Sequence, residues 1–134
     1  GSPNVHAISG LNAALKWIKE VGINNIRQKE RATTKKLLDV LHSHSNIRVI
    51  GCESEDDRIG VVSCIFEGYS SDNIGQVLSE YDIAVRTGLH CAPKAHEFMK
   101  TAPDGTVRFS VSVFTGKEDF CALNEVLDYI EQNS

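Results

Sequence analysis

The stretch Val107-Arg108-Phe109-Ser110-Val111-Ser112-Val113 alternates apolar and polar side chains at every step. Successive side chains of a β-strand point to opposite faces, so a strict period of two describes a strand with one buried and one open face. Its apolar side needs a covering layer, and the sequence that follows supplies one. Thr115 reads as a helix cap with Glu118 in capping-box position, and Phe120, Leu123, Leu127 and Ile130 recur at helical spacing.

Working back from this strand, the same reading organises the rest. Val5, Ile8, Leu11, Leu15 and Ile18 recur at three- and four-residue steps, and Gly22 supplies a stop. A second helix is predicted after Asn24, with Ile26, Leu37, Leu38 and Leu41 on its apolar side and Ser45-Asn46 at its end. Ile47–Ile50 is a short strand, Gly51 to Arg58 a polar loop, and Ile59 to Phe66 an apolar, β-branched run that reads as a buried strand. Ser71 or Asp72 is placed to cap a helix bearing Ile74, Val77 and Leu78, and Ile83 to Arg86 makes another short strand. From Thr87 to Pro103 the chain is irregular, because Gly88, Pro93 and Pro103 break any period. The order α, α, β, β, α, β, loop, β, α predicts one α+β domain over residues 1–134, a two-layer structure in which helices cover one face of a short, mainly antiparallel sheet.

Composition narrows the functional classes. Hydrophobic residues make up 41% and charged residues 24% of the 134, the balance of an ordinary globular domain. No apolar run approaches the roughly 18 residues that cross a bilayer, and the N-terminus lacks the layout of a secretory signal, which points to the cytoplasm. A net charge of −4 argues against nucleic acid, which needs a concentrated basic surface. Arg27, Lys29, Arg31, Lys35 and Lys36 read as a solvated helix face, and Glu53, Glu55, Asp56 and Asp57 as a solvated loop. Among the cysteines, Cys64 lies in the apolar run VVSCIF and reads as a buried, inert thiol. Cys52 and Cys121 read as structural. The spacings of 12, 27 and 30 residues between the four match no zinc pattern.

Cys91 differs. In Arg86-Thr-Gly-Leu-His-Cys-Ala-Pro93 it follows His90, lies near Arg86, and sits in the Gly- and Pro-interrupted segment where function concentrates. Nearby positive charge and exposed amides favour thiolate over thiol, so these residue types suit an activated nucleophile. A packed thiol beside a surface histidine is the alternative. Arg108 shares its strand face with Ser110 and Ser112, and a guanidinium there suits bidentate capture of a carboxylate. The alternative is an arginine reaching to water.

Three segments together resemble one family. VRTGLHCAP is similar to the cysteine-loop motif R-x-G-x-H-C-A of the desulfurase branch of the class V aminotransferases. The opening GSPNVHAISGLNAAL resembles that family's helix entry after its lysine-bearing domain, and VRFSVSVFTGKED resembles its strand with the carboxylate-binding arginine. The resemblance implies the small domain of a fold-type I pyridoxal-phosphate (PLP) enzyme, with the large PLP-binding domain elsewhere. It implies an intact enzyme that takes L-cysteine, moves its sulfur to Cys91 as a persulfide, and releases L-alanine. Arg108 would hold the substrate carboxylate, Arg86 would support loop and substrate, and His90 would tune the thiol or hold its loop. Ser2 falls where relatives often have a threonine that reaches the cofactor phosphate of the neighbouring subunit. A sulfur-acceptor protein, a role in iron–sulfur cluster assembly and a homodimer of the full-length protein follow from the same resemblance.

Two departures qualify it. Leu89 stands where many relatives carry a first histidine, and no His-Lys pair of the kind that holds the cofactor occurs in the sequence. The fragment alone is therefore expected to be inactive. The rival readings are a selenocysteine lyase, a class V aminotransferase with an incidental cysteine, and a free-standing sulfur-carrier or interaction module. A metal site at His90, Cys91 and His96 is disfavoured because adjacent ligands strain chelation.

Overall fold

The computed structural model describes residues 1–52 and 58–133, and the acidic run 53–57 lies outside the described residues. Two helices open the chain, α1 (Val5–Val21) and α2 (Ile23–His42). They are followed by β1 (Ile47–Ile50), β2 (Val61–Phe66), α3 (Ser71–Glu80), β3 (Arg86–Gly88), α4 (Pro93–Phe98), β4 (Thr106–Ser110) and α5 (Lys117–Gln132). The four strands form one fully antiparallel sheet in the order β1-β2-β4-β3.

The alternation expected around Arg108 orients the sheet. Val62, Cys64, Phe66, Val107 and Phe109 are buried on one face beneath Leu37, Leu38 and Leu41 of α2, Ile74 and Leu78 of α3, and Leu123, Val126, Leu127 and Ile130 of α5. Each fully buried aliphatic side chain contributes about 1.5–3 kcal/mol relative to exposure, so this layer dominates the stability. A buried His44 joins the helices at their ends. Its Nδ1 lies 2.9 Å from the Val40 carbonyl and its Nε2 3.0 Å from Asp128 Oδ1, and Ser45 donates to Glu131 through its backbone N and its Oγ.

Helix boundaries differ from the expectation by one or two residues, each for a local reason. Gly22, at φ 85°, closes α1 and opens α2 at once: its N–H donates to Ile18 O, and its carbonyl accepts from Ile26. Ser70, not Ser71 or Asp72, caps α3 by accepting from Asn73 N, because Ser71 is buried and donates to the Asp104 carbonyl. At α5 the cap is Gly116, whose N–H donates to Asp119 Oδ2 at 2.7 Å, while Thr115 instead accepts from Ser112 N. The third strand runs Arg86–Gly88 and not Ile83–Arg86, and the irregular segment contains a short helix, α4.

Helical cover is also not confined to one face. α4 lies on the opposite side of the sheet, where Ala95, His96 and Met99 meet Ile50, Ser63 and Thr106 around a cavity of about 160 Å³. In α1 no residue is buried, and Val5, Ile8, Leu11 and Leu15 present their apolar stripe to solvent at 56–65% exposure. Trp17, stacked on Phe114 at 5.3 Å, ties this helix to the segment after β4. Among the described residues no helix is long and apolar enough to cross a membrane.

Candidate functional site

Side chains facing away from the main helical layer form a row across the sheet. Ile50, Ser63, Arg108 and Arg86 are successive cross-strand partners from β1 to β3. Arg86 and Arg108 are therefore direct neighbours, with Cβ atoms on the order of 5 Å apart as such pairs are. Like charges directly opposite one another are destabilising in a sheet. Neither guanidinium forms an ion pair among the described residues. Arg108 is half-buried and Arg86 exposed. Two adjacent cations on a sheet face, without an ion-pair partner among the described residues, suit an anion, and planar guanidinium forks favour a carboxylate.

The cysteine segment leaves β3 beside this row. Gly88 adopts φ 90° and Gly105, at the start of β4, φ 75°. A Cβ on Gly105 would collide with the Gly88 carbonyl, so only glycine lets the two backbones approach this closely. Between them the chain makes a turn in which His90 (φ 49°) and Cys91 (φ 60°) are both left-handed. That conformation costs a non-glycine residue roughly 1–2 kcal/mol and persists only where the surroundings hold it. Three bonds do so here: Ala92 N donates to Leu89 O at 2.8 Å, His96 N to Ala92 O at 3.2 Å, and His90 Nε2 lies 3.0 Å from Thr106 Oγ1 on β4. Pro93, with φ pre-set for a first helical turn, then starts α4.

Cys91 is exposed at the tip of this turn. No hydrogen bond joins its Sγ to His90 among the described residues, since the imidazole is turned to β4. Burial first, then the charges of Arg108 and His96 and to a lesser degree Arg86, hold the His90 imidazole below its usual pKa, against a bond to Thr106 that works the other way. The lowering favours the neutral ring. His96, buried, pairs its Nδ1 with Thr101 Oγ1 at 2.7 Å and lies 5.7 Å from the His90 ring. Among the described residues no group of three or more His, Cys, Asp or Glu side chains is placed to hold a metal ion.

The structure thus brings Arg86, Arg108 and His90 together and carries Cys91 out from the same corner. Ser2 stands apart: it is exposed ahead of α1 and makes no side-chain hydrogen bond among the described residues. Cys64 is fully buried, and burial pushes its thiol up to about 12. Cys52 and Cys121, read as structural, are exposed. Thr106 went unread, although one further step of the alternation that places Arg108 puts it on the same face.

Residues 1–123 match the aminotransferase class-V family, and the chain belongs to that family. Over 97% of its length it is 35% identical to a probable cysteine desulfurase of Aeropyrum pernix, covering 32% of that protein. A probable cysteine desulfurase of Pyrococcus abyssi is 34% identical over 89% of this chain and 29% of its own. Among solved structures, the apo cysteine desulfurase of Thermococcus onnurineus NA1 superposes with a TM-score of 0.88 at 26% identity, over 100% of this chain and 33% of that one. The Escherichia coli cysteine desulfurase CsdA, in an S-sulfonic acid form, gives 0.82 at 28% identity, over 99% and 32%. The chain spans about a third of the length of the curated relatives it matches.

Proposed function

We propose that residues 1–134 are the cysteine-bearing small domain of a PLP-dependent cysteine desulfurase whose cofactor-binding domain belongs to the longer protein. The observation that carries this reading is the unpaired Arg86–Arg108 couple set beside the turn that presents Cys91. The kinship with cysteine desulfurases over nearly the whole chain supports it.

The residues present fit the substrate and not the cofactor. The two guanidiniums suit an amino acid's α-carboxylate, whereas no His-Lys pair occurs to hold a PLP ring. When bound in the whole enzyme, PLP supplies the electron sink that weakens the Cβ–S bond of cysteine. Arg108, braced by the sheet, takes the carboxylate together with Arg86 and fixes which way the thiol group points. The Cys91 thiolate would attack the substrate sulfur: the S–S bond would form as the Cβ–S bond breaks, the electron pair of that bond would stay with Cβ, and Cβ would take up one proton, matching the one Cys91 loses on ionising. Cysteine becomes alanine and Cys91 a persulfide, with no external oxidant or reductant. An exposed turn suits this nucleophile, because the persulfide is next offered to a sulfur-acceptor protein.

The test is alanine release from L-cysteine by the full-length, PLP-loaded protein, wild type beside Cys91→Ala. Alanine from the wild type and none from the variant, with PLP absorbance retained in both, is the expected result. Undiminished sulfur release by Cys91→Ala overturns the assignment, and a keto-acid product redirects it to aminotransfer.

A further inference from the structure

Two consecutive left-handed residues, His90 and Cys91, carry the reactive thiol, and neither is glycine. Among the described residues, the side-chain bond that ties this turn to the sheet joins His90 Nε2 and Thr106 Oγ1, 3.0 Å apart, on the strand that two residues later presents Arg108. Thr106 is fully buried, so its hydroxyl has no solvent alternative. Beside it, a local bond between His96 Nδ1 and Thr101 Oγ1 fastens the end of α4. From this geometry we infer that His90 is a positioning residue: its imidazole latches the Cys91 turn to β4, holding thiol and carboxylate site in one frame, and is not the thiol's proton partner. What the latch positions rests on the desulfurase reading above; the latch itself does not.

The latch has a pH signature. The groups around the His90 ring are Arg108, Arg86 and His96, all cationic or potentially so, with the neutral Thr106 as its hydrogen-bond partner. A protonated His90 would add a further cation to that set. With the imidazole held below its usual value in the latched turn, the latch is fully stable above pH about 6.5 and weakens as the pH falls through the lowered value.

Full-length, PLP-loaded protein carrying His90→Ala, His90→Gln, Thr106→Val or the double change His90→Ala with Thr106→Val separates the roles. Expected is a kcat on L-cysteine lower by on the order of 10²-fold in both His90→Ala and Thr106→Val, with KM nearly unchanged. The double variant is no worse than the worse single one, because both changes break the same bond. His90→Gln, which can still bond Thr106 but cannot ionise, restores most of kcat and loses the wild type's acid limb. Cys91 alkylation by iodoacetamide, measured against pH, gives a readout that needs no turnover. Its rate rises in His90→Ala and Thr106→Val, and its pH midpoint is the same in wild type and His90→Gln. A midpoint displaced in His90→Gln, or full kcat in Thr106→Val, overturns the inference. Latch-dependent alkylation in a protein that releases no alanine leaves the latch standing and removes the desulfurase reading instead.

Discussion

On one face of the sheet, Val62, Cys64, Val107 and Phe109 are packed under three helices until almost nothing of them meets solvent. On the other, along the same strands, Arg108 lies half-open beside Arg86 with no counter-charge among the described residues. The first face is satisfied in the folded chain alone. The second holds like charges side by side, and on the reading proposed above a substrate carboxylate would complete it. Alternation along the strands therefore separates the packed side of the sheet from its charged side, and the two thiols divide the same way: Cys64 closed in, Cys91 exposed.

The sharpest way to break that contrast is thiol labelling in a background where Cys52 and Cys121 are serine. With its thiol pushed up to about 12, Cys64 should react on the order of 10³-fold more slowly at pH 8 in the folded than in the urea-unfolded protein, where the ordinary value near 8.5 returns. Cys91 should react without unfolding. Prompt native labelling of Cys64 would mean that the helix-covered face is not closed. Next in size, Leu127→Ala should cost about 2–5 kcal/mol in a urea titration, whereas Arg108→Ala should stay within about 0.5 kcal/mol of wild type. An equal cost for both would erase the distinction between the faces. The smallest effect sharpens it: Arg86→Gln removes one of two facing charges and should raise stability by about 0.2–1 kcal/mol while weakening carboxylate binding.

The closed face was the more legible of the two in the sequence. Leu37, Leu38, Leu41, Leu123, Leu127 and Ile130, picked out by spacing, are all buried, because a helix that covers a sheet repeats its apolar residues at its own period. The same rule identified α1 as a helix but could not say what covers it. Periodicity reports which side is apolar, and here that side is exposed. α4, at six residues, is too short to show a period at all. Ser70 and Ser71 are equally good caps by type, and a tertiary bond from Ser71 to Asp104 decides between them. At the site, Arg108 and Cys91 were legible as residue types in telling places. The direct pairing of Arg86 with Arg108 was not, since register across a sheet depends on strands far apart in sequence. Nor was the Thr106 latch, for Thr106 carries no chemical signature of its own.

The backbone contact between Gly88 and Gly105 has an evolutionary reading. It pins together the two ends of residues 89–104, so everything that carries Cys91 hangs from one closed base. Lengthening a segment closed in this way costs little, about 0.6 kcal/mol for each doubling of a flexible loop. The strands bearing the arginines need not move when it changes. The length and composition of the Cys91 segment can thus vary across a lineage while the Arg86–Arg108 pairing is inherited unaltered.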